Sequence, residues 1–516
     1  MTPDLDAALA RLDLLPDLYP GPGGVAGLVH KGHVIATRAW GHATVETAVP
    51  MTRATPLPIC SISKQFTCAA FLARLDPAAL AGRVADHLPA FEGPRPDLMQ
   101  LMANQSGLRD YWALAPLLGA RPDGEFRRSD GPEVYGRMQT GHFSPGSSYS
   151  YCNQNFRIVA DILQEETGRD LAELYEADLF APAGMEGARL APDTATPPVG
   201  VTGYEGTAAT GYFPATNRLY WKGDAGITAS IDDMLAWEVH IDATREGGLY
   251  TRLSAAPAFR NGQPAQYGYG LAHERLASGA AATGHGGALR GFRAYRSHVA
   301  AARLSAVVMF NHEGDAHGAA TSLLDAALGA PECKRGAPGS LDGAWIDPAS
   351  GLLLRVAPTL DGIALRFATG PDALEATAEG GRAPTVSLSR EGDALRMRRP
   401  GENLDLLAAP VAPAAPGAAA DLDGLWHWPE LNAFLTIETR GGATHAVARG
   451  RFGTAQPERV HPVGRDVWVM PVRRSVDAPA PGDWTLRLHR DEAGRPLGLT
   501  VGCWLARGLA YRRIGA

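Results

Sequence analysis

Three short stretches carry residue types that can do chemistry together. The first is Cys60-Ser61-Ile62-Ser63-Lys64-Gln65-Phe66-Thr67-Cys68. Ile62, Phe66, Ala69 and Leu72 recur near helical spacing, so the stretch reads as the opening of a helix running to about Leu75. Ser61 is the small hydroxylated residue that a helix start favours. Ser61 and Lys64 are three apart and share one face of that turn. A hydroxyl thus stands beside an amine able to activate it as a nucleophile. The chain has four lysines (Lys31, Lys64, Lys222, Lys334), and arginine supplies the rest of its 48 basic residues. Lysine can be desolvated into a base near neutrality, whereas arginine stays charged.

The second stretch is Pro145-Gly146-Ser147-Ser148-Tyr149-Ser150-Tyr151-Cys152-Asn153. Pro-Gly starts a turn and a helix follows from about Gln154, which leaves Tyr151 and Asn153 on a loop able to face a cleft. A tyrosine beside a cationic lysine is expected to have a lowered pKa and to take a proton from a serine. The third is Gly284-His285-Gly286-Gly287-Ala288. Glycines around His285 let a ligand approach the backbone, and free N–H groups on a strand edge can stabilise an oxyanion. Each stretch has a plainer reading: a chance Ser-x-x-Lys, packing tyrosines, a glycine-rich turn. Tyr267-Gly268-Tyr269-Gly270-Leu271 reads as ordinary sheet packing. Asn104-Gln105-Ser106-Gly107-Leu108 reads as a loop that either caps a helix or orients the site.

The elements that must position these residues belong to a long chain. Its 516 residues suggest roughly three domains. A net charge of −7 and a pI near 6.1 argue against a nucleic-acid binder. Five cysteines without paired spacing argue against a disulfide framework and for a reducing compartment. No zinc motif is present, and no cofactor is expected. The acidic start Met1-Thr2-Pro3-Asp4 lacks the basic and apolar regions of a secretory signal, and no 18-residue apolar run occurs. These features lead us to expect a cytoplasmic protein with no membrane partner.

Residues 4–15 read as a short amphipathic helix. Residues 25–30 and 33–38 read as a hairpin about Lys31-Gly32. Helical patterns fill 61–75, 97–103, 154–167 and 170–180, and strands return between 218 and 310. Strands at both ends around helices predict an antiparallel sheet with helices packed on it, an α+β domain over 1–330. Beyond it, short strand-like runs dominate, and Leu341-Asp342-Gly343-Ala344-Trp345 recurs as Leu422-Asp423-Gly424-Leu425-Trp426. The repeat predicts two similar antiparallel β-barrels, over 331–417 and 418–516, joined by an Ala/Pro-rich linker at 408–420. One larger β domain with an accidental repeat is the alternative.

Taken together, Ser61-x-x-Lys64, Tyr151-x-Asn153 and His285-Gly286-Gly287 resemble, in order and spacing, the penicillin-recognising serine hydrolases of serine β-lactamase and DD-peptidase fold. Pro182-Ala183-Gly184-Met185 fits the same family. The longer runs 59–68, 104–112 and 284–293, with two trailing barrels, resemble its D-aminopeptidase branch. The resemblance implies Ser61 as nucleophile and Lys64 with Tyr151 as proton relay. It implies an oxyanion hole from the N–H groups of Ser61 and Ala288, and Asn153 orienting the substrate amide. His285 stands where many relatives have lysine, which removes a fixed charge suited to a substrate carboxylate; Arg290 and Arg293 could restore part of it. By the same resemblance a loop of the last barrel, 473–482, reaches the site, with Asp477 facing the substrate ammonium. Removing that barrel would then widen substrate acceptance. The expected substrate is a small peptide, amide or ester with an N-terminal D-residue such as D-Ala. A DD-carboxypeptidase, β-lactamase or esterase, or a non-catalytic binding protein of this fold, are the alternatives. The resemblance is also compatible with a homodimer.

Overall fold

The computed structural model describes residues 2–331, 336–337, 339–368, 371–414, 421–472, 474–478 and 482–514. Its first unit is built on an eight-stranded antiparallel sheet, in the order Val49–Pro50, His33–Thr44, Gly23–His30, Leu304–Phe310, Phe292–Val299, Ala281–Leu289, Leu271–Arg275, Tyr267–Gly268. Lys31 and Gly32, at φ 50° and 77°, make the tight turn that pairs His30 with His33; positive φ at both positions suits a hairpin to the strand twist. Strands from the two ends of this unit meet where Gly23–His30 pairs with Leu304–Phe310.

Both faces of the sheet are covered, which is why Leu304–Phe310 is buried along its whole length. On one face lie the helices Leu5–Leu18 and Ala316–Leu328, packing Leu12, Leu15, Leu323 and Leu324 against Ala306, Val308 and Phe310. On the other lie the Ile231–Ala243 and Ser63–Arg74 helices. Phe66 of the latter packs 4.7 Å from Trp237 of the former. A fully buried ion pair ties this face together: Arg296 donates to Glu238 at 2.6 and 2.7 Å and to the Tyr250 hydroxyl at 2.6 Å.

Two eight-stranded antiparallel barrels follow. The first closes over strands from Gly343–Ile346 to Leu404–Pro410, the second over strands from Gly424–Trp428 to Ala506–Ile514. The sequence repeat sits at the same place in each. Gly343 and Gly424 open the first strand at φ 142° and 141°, and Trp345 and Trp426 fill the two cores. The expected linker begins later than its composition suggested. Ala408–Pro410 belong to the last strand of the first barrel, and residues 415–420 lie outside the described part. Both barrels touch the first unit. The Glu402 carbonyl accepts from the Tyr149 N–H and the Ser148 hydroxyl. Phe452 of the second barrel packs 5.4 Å from Phe126, and Arg451 donates to Asp130 at 2.8 Å.

Candidate active site

Ser61 lies in a 3-10 turn, Cys60–Ile62, that leads into the Ser63–Arg74 helix. It does not cap that helix as expected; Ile62 holds the N-cap position, and the Ser61 hydroxyl faces the cleft instead. Cys60, fully buried, adopts φ 50°. A left-handed non-glycine residue costs on the order of 1–3 kcal/mol, so the surrounding packing holds the turn that presents Ser61. Burial pushes the Cys60 thiol up to about 12.

Lys64 is fully buried, and its Nζ donates to three oxygens: Ser61 Oγ at 2.8 Å, Asn153 Oδ1 at 2.9 Å and the Asp224 carbonyl at 2.6 Å. The last two can only accept, because Asn153 Nδ2 is committed to Asp110 Oδ2 at 2.8 Å, which fixes the amide orientation. A neutral amine with two N–H bonds would satisfy both and turn its lone pair to the serine. Burial pulls Lys64 down to about 8, against the opposing pull of Asp224, Asp110 and Asp477. Tyr151 hydrogen-bonds Ser61, but its pKa moves opposite to expectation. Burial raises the phenol well above its usual value, and neighbouring Tyr149, Asp110 and Asp224 add to the rise. Lysine is therefore the member of the pair shifted toward its basic form.

Tyr151 and Asn153 are held from behind by the 104–112 segment. Asn104 Oδ1 accepts from the Cys152 N–H at 3.1 Å, and Asp110 Oδ2 accepts from the Asn153 N–H at 2.6 Å. Asn153 is the first residue of its helix rather than a loop residue. Asp224, under Lys64, accepts from the Tyr111 hydroxyl at 2.5 Å.

The Ala281–Leu289 strand forms the opposite wall. Its pairing with Leu271–Arg275 ends at Gly284, so residues 285–289 present that edge to the Cys60–Ile62 turn. Leu289 and Phe292 close a two-residue turn, and Ala288 pairs with Arg293 next to them. By antiparallel alternation Ala288 is then a non-hydrogen-bonded position whose N–H points to that edge. The approach is so close that a Cβ on Gly287 would stand 2.2 Å from the Ile59 carbonyl oxygen. His285 is neutral: burial and Lys64 bring it down to about 3. Nδ1 donates to the Gly286 carbonyl at 2.5 Å, and Nε2 accepts from the Tyr267 hydroxyl at 2.8 Å. Tyr267, read from sequence as mere packing, thus orients the imidazole.

Ser61, Tyr151, Asn153 and residues 285–288 line one cavity of about 550 Å³, with Asp110, Trp112, Arg293, Glu313, Asp477 and Leu505 among its other walls; Lys64 and Tyr267 lie behind them. Asp477 comes from the second barrel; burial and Asp110 raise its carboxyl to about 7. Residues 473 and 479–481 of its loop lie outside the described part. Arg293 lines the cavity, but its guanidinium donates to the Leu289 and Phe292 carbonyls at 2.7 Å and to Glu313 at 3.1 Å. Arg290 differs from expectation. Its buried guanidinium is spent on Glu205 and backbone carbonyls, and only its N–H, donating to the Asp477 carbonyl at 2.8 Å, touches a cavity residue. Sequence reasoning assigned nothing to Asp110, Asp224 or Leu505; the first lay in the 104–112 run, while the other two carried no local signal. Among the described residues no cluster of three or more His, Cys, Asp or Glu could hold a metal ion.

A sheet between helices, a serine beside a buried lysine and a free strand edge opposite them define a serine hydrolase of β-lactamase type, and the family described as Beta-lactamase matches residues 16–329. The family described as D-aminopeptidase, domain B, matches residues 335–512. The chain is 55% identical over 518 residues to a D-aminopeptidase of Cereibacter sphaeroides and 45% identical over 520 residues to one of Brucella canis, covering 100% and 99% of both chains respectively. The chain belongs to the D-aminopeptidase family. Among solved structures, D-amino acid amidase from Ochrobactrum anthropi SV3 matches 62% of this chain and 98% of its own at a TM-score of 0.51 and 18% identity. An octameric penicillin-binding protein homologue from Pyrococcus abyssi matches 99% and 100% at 0.50 and 13%. At these identities the two structures speak to the fold alone.

Proposed function

We propose that this D-stereospecific serine hydrolase releases small N-terminal D-residues such as D-Ala from peptides, amides or esters. Ser61 Oγ attacks the carbonyl while its proton passes to the Lys64 amine. The oxyanion lies against the N–H groups of Ser61 and Ala288. Tyr151, protonated in the free site, gives its proton to the leaving nitrogen and regains one from Lys64. Water then cleaves the acyl-enzyme by the same relay in reverse. Asn153 and His285 hold Lys64 and the strand edge in position.

One observation carries the choice of an aminopeptidase: the charge at the cavity. His285 is neutral, Arg290 and Arg293 are paired with Glu205 and Glu313, and Asp110 and Asp477 face the cleft. A substrate carboxylate finds no unpaired cation among these groups, whereas an α-ammonium finds a carboxylate. That supports release from the amino end over a carboxypeptidase or β-lactamase reading. The test compares D-Ala p-nitroanilide, its N-acetyl form and the L-isomer. The free D-amine should turn over at least about a hundredfold faster than either, and Ser61→Ala should remove turnover in a folded protein. Equal rates on free and blocked amines would discard the proposal.

No helix among the described residues is long and apolar enough to cross a membrane. The four described cysteines are free and buried, which supports a reducing, cytoplasmic setting. A homodimer rests on the family resemblance alone; light scattering giving the 54.5 kDa monomer mass would set it aside.

A further inference from the structure

The tip of the hairpin that carries Ala288 is held from every side. Arg290 is 3% exposed. Its carbonyl accepts from Asn217 Nδ2 at 3.0 Å, and its N–H donates to the Asp477 carbonyl at 2.8 Å. Its guanidinium donates to Glu205 at 2.9 and 3.2 Å. Glu205 is itself 4% exposed and receives a second arginine, Arg474 of the second barrel, at 3.3 Å. Arg474 also stands over the Phe213 ring, 5.5 Å from its centroid. Two residues, Ser475 and Val476, separate Arg474 from Asp477, and the Ser475 hydroxyl donates to the Trp112 carbonyl at 3.1 Å. One carboxylate therefore joins two separately folded pieces of the cavity wall. On one side is the strand that presents the Ala288 N–H, and on the other the barrel segment that presents Asp477.

We propose that Glu205 is a positioning residue for selectivity: by gripping Arg290 and Arg474 together, it sets how far the Asp477 carboxylate stands from the edge that receives the scissile carbonyl. The substrate must reach both, since its ammonium and its carbonyl are one carbon apart. The grip therefore acts as a ruler for an α-amino acyl group. Glu205 lies outside the cavity lining and does not touch substrate. The inference rests on the reading of Asp477 as the ammonium partner.

The experiment uses the full chain with two substrates, D-Ala p-nitroanilide and N-acetyl-D-Ala p-nitrophenyl ester. Glu205→Gln and Arg474→Met should each raise KM for the free amine about tenfold, leave its kcat within about threefold, and leave kcat/KM for the blocked ester unchanged. The double variant should lose no more than the worse single one, because the Glu205–Arg474 contact is common to both. Glu205→Asp should recover part of the loss. Arg474 is half exposed, so Arg474→Met keeps the test available if Glu205→Gln fails to fold. Unchanged KM in Arg474→Met, or an equal fall on both substrates, would overturn the ruler. A parent enzyme that does not prefer the free amine would remove the Asp477 reading, and the ruler with it; the parent ratio alone tells the two failures apart.

Discussion

The contact between Lys64 and Ser61 decides how the site responds to pH. Lys64 sits below the usual lysine value, so its free-base form grows as pH rises and is the major form above about 8. On the blocked ester, kcat/KM should climb from pH 6 and level off above about 8. On the free amine it should fall again there, because an α-amine loses its proton near 7.7–8.0, about where Lys64 becomes competent. Below about 7 Asp477 takes up a proton as well, so the acid limb should be steeper for the free amine than for the ester. Parallel limbs on the two substrates would separate Asp477 from recognition; an ester profile flat between pH 6 and 8 would remove Lys64 as base. The Ser61–Lys64 pair was legible in the sequence because its geometry is local, a single helical turn. The Tyr151 shift was not, since its direction depends on how deeply the ring is buried and on carboxylates from Asp110 and Asp224. The role given to Arg290 failed for a similar reason. Its charge is cancelled by Glu205, 85 positions away in the chain.

At the scale of elements, the site depends on two segments lying closer than side chains allow. Gly287 and Gly286 are adjacent but differ in what faces them. A Cβ on Gly287 meets the Ile59 backbone at 2.2 Å, whereas one on Gly286 meets the edge of the Tyr295 ring at 3.1 Å. Gly287→Ala should push the strand edge off the Ser61 turn, lower kcat at least tenfold and cost about 1–3 kcal/mol in stability. Gly286→Ala should cost clearly less on both counts, and equal losses in kcat and denaturation midpoint would refute this account. The glycines were visible as a motif. Which of them is obligatory was not, because that depends on the 3-10 turn opposite. The hairpin at Lys31-Gly32 and the helices within 61–75, 97–103, 154–167 and 170–180 were readable from turn chemistry and period, whereas the Ile231–Ala243 helix, in a region read as strands, and the Ala316–Leu328 helix were not. The two barrels were readable from their repeated tryptophan strand, since each copy must fill the same core.

For the whole molecule, the second barrel does more than narrow the cleft. The Asp110 N–H donates to the Leu505 carbonyl at 3.0 Å, and Arg109 donates to the Arg507 carbonyl at 2.9 Å. Phe452 covers Phe126, which packs 4.3 Å from Trp112. Cutting the chain at 417 removes these partners and uncovers a buried aromatic cluster. We therefore expect the truncated protein to lose activity and aggregate, rather than to gain bulky substrates as the family resemblance implied. Recovery of a soluble, active fragment, measured by light scattering and ester turnover, would count against this. The Leu-Asp-Gly repeat announced two barrels, but contacts with Leu505 and Phe452 come from folding and leave no mark in residue order.

Ser61, Lys64 and Tyr151 are inherited with the sheet-and-helix unit, while Asp477 is inherited with a barrel that has a near-twin beside it. The twin meets the same unit through Glu402, and none of its described residues lines the cavity. Changes in the 474–478 segment can thus be sampled by mutation without altering Ser61, Lys64 or Tyr151 themselves. A lineage built this way can drift in diet while keeping its chemistry, and relatives should diverge in substrate preference faster than in reaction.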